Sequence, residues 1–119
     1  SSQALAQRDA TALVEAIATR ARGATSAELN GSPPNTVLTF YGPDSDSYSF
    51  WWSQTDFLVH QGPGEGAVDG GPVVPSRVEQ FSVAVDGSLP LVYLTMLEVR
   101  SESGERVQMQ STFTLYNAP

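Results

Sequence analysis

Apolar residues along this chain keep one spacing near its start and another afterwards. From Ser2 to Arg22, the residues Ala6, Ala10, Leu13, Val14, Ile17 and Ala21 recur every three or four positions, which is one stripe of an α-helix. Arg8, Asp9, Glu15, Arg20 and Arg22 fall off that stripe and are expected to face solvent. Gly23 stops the helix, with Arg20 and Arg22 in the last turn where cations suit the negative end of the helix dipole. The stripe is rich in alanine, so its partner can approach closely, and a sheet is the expected partner.

Asn30-Gly31 and Pro33-Pro34 read as a polar link, after which the period becomes two. Val37, Thr39 and Tyr41 alternate with Leu38 and Phe40 in a first strand, and Gly42-Pro43-Asp44-Ser45-Asp46 makes a turn. Tyr48, Phe50 and Trp52 then share one face, with Trp51 on the other. A short strand over 57–60 follows, and the glycine- and proline-rich stretch 62–75 reads as a loop. Three strands complete the chain. The first carries Phe81, Val83 and Val85 on one side, and Asp86-Gly87 turns it. The second runs Leu91–Arg100, with Leu91, Tyr93, Leu97 and Val99 on one face and Val92, Leu94 and Met96 on the other, so it is expected to be central and covered on both sides. After a hairpin at 101–105, Val107, Met109, Ser111, Phe113 and Leu115 face inward against Gln108, Gln110, Thr112 and Thr114 outside. The pattern predicts an α+β domain over 1–119, with a helix at 1–23 packed on an antiparallel β-sheet meander at 36–119.

Composition narrows the chemistry. Thirteen acids against six bases give a net charge of −7, and every base is arginine. The arginines do not cluster beyond Arg20 and Arg22, so direct nucleic-acid binding is not expected. There is no cysteine, which removes disulfides, thiol nucleophiles and thiolate zinc sites together.

The sequence nominates no catalytic, cofactor-binding or metal site. His60 is the single histidine, no GxSxG surrounds any serine, and a strand-end ring at the surface is the expected reading. Glu79 and Glu98 lie on neighbouring strands, where solvated acids are commoner than a tuned pair. Asp44 and Asp46 have the D-x-D spacing of calcium loops, but the central glycine and the distant bidentate glutamate are missing, which favours a polar turn. Gly62-Pro63-Gly64-Glu65-Gly66 lacks the lysine and following helix of a phosphate loop, and Glu65 and Asp69 would repel phosphate. Trp51 is either buried under a second layer or part of a contact surface.

Taken together, the order of elements resembles the soluble domain of a type IV pilin-like protein, nearest to minor pilins and the larger minor pseudopilins. The run Ile17-Ala18-Thr19-Arg20-Ala21-Arg22-Gly23-Ala24 is similar to the end of the family's long first helix. Val78-Glu79-Gln80-Phe81-Ser82-Val83 resembles its "V-x-x-F-x-[FV]" strand, Leu91-Val92-Tyr93-Leu94-Thr95-Met96-Leu97-Glu98-Val99 its central apolar strand, and Gln110-Ser111-Thr112-Phe113-Thr114-Leu115-Tyr116-Asn117 its closing strand. The resemblance implies a non-catalytic structural subunit of a type IV pilus, competence pilus or type II secretion pseudopilus in the bacterial cell envelope. Its partners would be other pilin or pseudopilin subunits. An apolar half-helix upstream of Ser1 would anchor it in the inner membrane and then pack inside the filament.

A secreted or periplasmic binding or inhibitor module with the cystatin helix-on-sheet layout is the alternative, although the chain has no Q-x-V-x-G hairpin. A cone-shaped α+β enzyme would need inward acids or histidines, and the inward positions here are apolar.

Overall fold

Ser1 opens the helix by accepting the Ala4 amide on its Oγ at 3.2 Å, which satisfies one of the free N–H groups of the first turn. The computed structural model describes residues 1–66, 70–116 and 118. Residues 67–69, Asn117 and Pro119 lie outside the described residues, and with them the Asp69 and Asn117 positions of two motifs. Helix α1 (Ser2–Arg22) is followed by β1 (Ser26–Asn30), β2 (Val37–Tyr41), β3 (Ser47–Trp52), β4 (Val59–Pro63), β5 (Gly71–Pro72), β6 (Arg77–Val85), β7 (Leu91–Arg100) and β8 (Arg106–Thr114). Among the described residues, no helix is long and apolar enough to cross a membrane.

The architecture is α+β, one N-terminal helix packed on antiparallel sheets. Instead of one meander there are two, a five-stranded sheet in the order β1-β2-β3-β4-β5 and a three-stranded sheet in the order β6-β7-β8. The expected polar link holds β1, whose Ala27 and Leu29 pair with Phe40 and Leu38 of β2. Two modest inward residues beside an Asn-Gly turn leave almost no periodic signal, which is why the strand escapes a pattern search. Gly31 follows at φ 83, and a Cβ there would run into the Asn35 carbonyl. The strand expected at 57–60 starts later, because Phe57 sits at φ 58 inside a turn, and the expected loop at 62–75 contains the end of β4 and the two residues of β5.

Ala6, Ala10, Leu13, Ile17 and Ala21 are all buried, and they seat α1 on β7 and β8. Val14 is only half-buried, and Asp9 occupies the stripe in its place. The two sheets are tied where β6 passes the turn after β3. There the Val78 amide donates to the Phe57 carbonyl at 2.7 Å, and the Trp52 indole N–H donates to the Val78 carbonyl at 2.8 Å. Phe57 is held edge-on to Trp52 and lies under the Arg77 guanidinium at 3.8 Å.

Strand β7 is central in its sheet, as the pattern predicts, but it is not covered on both sides. Register shifts on β7–β8 between Leu94 and Leu97, and on β6–β7 between Ser82 and Val83, change the phase of the alternation. Val92 and Leu94 before the bulge and Leu97 and Val99 after it are therefore the buried set, while Leu91 and Tyr93 are half-buried and Thr95 is exposed. One apolar face was split in two by strict alternation. The inward set of β8 follows the pattern: Val107, Phe113 and Leu115 are buried, and the intervening Gln and Thr residues are exposed.

Candidate functional site

On the five-stranded sheet, Leu38, Phe40 and Phe50 take the core side, and the opposite side carries Val37, Thr39, Ser49 and Trp51. Thr39 and Ser49 are fully buried on that outer side. Their hydroxyls pair at 2.8 Å, and Ser49 Oγ donates to the Gly64 carbonyl at 2.7 Å. The segment after β4 therefore folds back over the sheet, and Glu65 reaches Tyr41 of β2. The glycine-rich stretch reads from sequence as a plain surface loop, yet its first residues are a cover for two buried hydroxyls.

Beside that cover, the register lines up Asn30, Val37, Trp51, His60 and Pro72 across the outer side. Trp51 is half-buried, neither sealed under a layer nor fully open. His60 lies parallel to it, with ring centroids 6.0 Å apart and planes 16° from each other. Gly70 lies against its far edge, since a Cβ at that glycine would come within 3.1 Å of Trp51 Cη2.

His60 is a strand residue with only 18% of its side chain exposed, and its Nε2 is 2.7 Å from Asp56 Oδ2. Partial burial works against the Asp56 charge, but hydrogen bonds from His60 and from the Leu58 amide outweigh it and hold the carboxyl below its usual range. Asp56 is thus an acceptor, and the pair braces the 53–58 turn against β4. That turn is further closed by Phe57 N–H to Ser53 O at 2.9 Å and Ser53 N–H to Leu58 O at 3.0 Å. Nothing in the sequence pattern marks Asp56; its only signal is the D-x-x-x-H spacing to His60, which has no meaning until a turn rather than a helix joins the two.

Comparison with protein-family models, with characterised proteins and with solved structures returns no match for this chain.

The other sequence candidates are dispersed. Asp44 and Asp46 sit in the β2–β3 hairpin, where the Gly42 amide donates to the Asp46 carbonyl at 2.8 Å and Ser45 takes φ 64. Among the described residues, no three His, Asp or Glu side chains are grouped to hold a metal ion. Glu79 and Glu98 have separate partners. Glu79 accepts from Arg77 at 2.7 Å and from Arg100 at 3.4 Å, whereas Glu98 accepts from Gln108 at 2.8 Å with Arg106 at 3.9 Å.

A larger open cleft of about 740 Å³ lies between the start of α1 and the β7–β8 hairpin. Asp9 is its buried wall, accepting from Ser76 Oγ at 2.6 Å and from Arg8 at 3.3 Å. Arg8, Arg77 and Arg100 also line it, but Asp9 and Glu79, which pair with them, and Glu102 in the lining offset their three charges, so the cleft presents no unneutralised positive field to an anion. Asp9 and Ser76 are a cross-brace. Ser76→Ala is expected to lower stability by about 1.5–3 kcal/mol, the range for a hydrogen bond to a buried charge. Urea unfolding of the single variants and of the Asp9→Ala/Ser76→Ala pair checks this, with the pair costing less than the sum.

Acid should weaken the fold through the same kind of contact. Hydrogen bonds from Arg77 and Arg100 hold Glu79 low, and those from the Ser88 and Leu89 amides hold Asp86 low, as His60 and Leu58 do for Asp56. A carboxylate depressed in the folded state stabilises fully above its unfolded pKa of about 4 and stops doing so as pH falls through the lower folded value. The urea midpoint is expected to drop below about pH 5 and to change little from these groups between about pH 6 and 8.

Proposed function

We propose that this chain is the globular part of a non-catalytic, type IV pilin-like subunit of a pilus or secretion pseudopilus in the bacterial cell envelope. The observation that carries this reading is the division of labour along α1. Its 21 residues span about 31 Å, longer than either short extent of the 44 × 25 × 21 Å molecule. Its buried stripe begins at Ala6, and Leu5 in the turn before is 50% exposed. An apolar helix continuing upstream would leave the domain in line with α1 without disturbing the core. Uniformly apolar upstream and one-sided here, such a helix would match first a bilayer or filament interior and then its own sheet. The loops at the far ends of the strands would be left for contacts with neighbouring subunits.

The test is the intact mass and N-terminal sequence of the native protein from cells. A product longer than this chain by about thirty residues, apolar and beginning with a methylated amine, supports the reading. A native chain beginning near Ser1, or after a conventional secretory signal, overturns it.

A further inference from the structure

At the end of the five-stranded sheet where β2 begins and β3 stops lies a groove of about 370 Å³, within the size range of about 300–1,000 Å³ typical of small-ligand sites. In a protein with 19 charged residues (13 acids and 6 arginines), none of the eight residues lining this groove is charged. Trp51 forms one wall. His60 covers one face of its indole and is not part of the groove, while Val37, its other cross-strand neighbour, is short and does line it. The groove thus takes in Trp51 and Val37 and leaves His60 outside it.

Around that ring stand neutral donors and acceptors. Asn35 arrives from the loop before β2, and Gln54 and Thr55 come from the 53–58 turn. All three are exposed, and among the described residues their side chains form no hydrogen bond to protein. The turn that presents Gln54 and Thr55 is not free to drift. It is closed by its own backbone bonds, braced by Asp56 on His60 at 2.7 Å, and tied to β6 through Phe57 and Trp52. Preorganised polar groups lose less on binding than mobile ones.

We infer that this groove binds an uncharged saccharide unit, stacked by its C–H face on Trp51 and hydrogen-bonded through its hydroxyls by Asn35, Gln54 and Thr55. The C–H groups of a pyranose carry partial positive charge and suit the negative face of an indole, while amide side chains both donate and accept, as hydroxyl groups do. A carboxylate or phosphate ligand would find no cation in the groove, and a purely apolar one would leave the amides unpaired. This inference is independent of the assembly role, because both walls belong to this chain.

Two indole N–H signals in a ¹⁵N NMR spectrum report the two tryptophans separately. The chain is titrated with maltotriose, cellotriose and chitotriose, and with trigalacturonate as the charged counterpart. The Trp51 signal is expected to shift saturably with at least one neutral trisaccharide at a Kd of about 0.1–1 mM, and not with trigalacturonate. The Trp52 signal, bonded to Val78, should move less. Asn35→Ala/Gln54→Ala, both at exposed positions, should weaken binding at least about tenfold with the rest of the spectrum unchanged. No saturable shift with any neutral trisaccharide up to about 20 mM overturns the proposal. So does equal binding of trigalacturonate, or unaltered affinity in the double variant.

Discussion

Ile17→Asp is expected to destabilise the domain by roughly 3 kcal/mol or more, enough to lower the thermal midpoint by at least about 10 °C. Ile17 is completely buried in the middle of the α1 stripe, in one cluster with Leu13, Leu97 and Val99. A carboxylate there is cut off from water, and its buried stripe neighbours Leu13 and Ala21 carry no donor side chain. It must either stay charged at a large desolvation cost or take up a proton, and both outcomes weaken the fold. Ile17→Val is the control, removing one methylene for about 1 kcal/mol. Circular dichroism melts of the three proteins decide the matter. A midpoint nearly unchanged by aspartate would mean that the stripe is accessible, as an assembly face would be, and that the packing of α1 on β7 and β8 is wrong.

Phe50→Ala is expected to cost about 3–5 kcal/mol, read as a lowered urea midpoint. Phe50 is the largest side chain with no exposure at all. Its ring meets Phe40 edge-on at 6.1 Å and Tyr48 at 5.6 Å, so deletion removes two aromatic contacts besides leaving a cavity. The effect should spread to the helix. Tyr48 lies under the Arg20 guanidinium at 3.5 Å, a contact between the last turn of α1 and the five-stranded sheet. Once Phe50 no longer supports Tyr48, Arg20→Ala should cost less than it does in the parent protein, by a few tenths of a kcal/mol to about 1.

What could be read from the sequence was whatever repeats. The α1 stripe, the β2 and β3 alternation and the inward set of β8 each rest on several residues obeying one period, and the structure keeps them. Three features went unread for separable reasons. Strand β1 offers only Ala27 and Leu29 as inward residues, too little apolar contrast to register. The β7 bulge sits in a strand whose alternate positions are nearly all apolar, so a phase change leaves no mark. Asp9 looks like a solvent residue by type, although its position three residues after Ala6 and four before Leu13 places it on the stripe; its burial depends on Ser76, 67 positions away. The groove was legible only as far as Trp51. Gln54, Thr55 and Asp56 carry no motif, and nothing before folding announces that a turn brings them beside an indole.

Strand β5 has only two residues, and the second, Pro72, has no amide N–H to offer. It pairs with His60 and Gln61 on one side. Toward the outside, the five-stranded sheet therefore ends in a stub that lacks the row of alternating donors and acceptors a further strand would need. Fibrillar growth from that margin is disfavoured by the covalent structure of one residue, so crowded copies of the chain gain little from fusing their sheets edge to edge there.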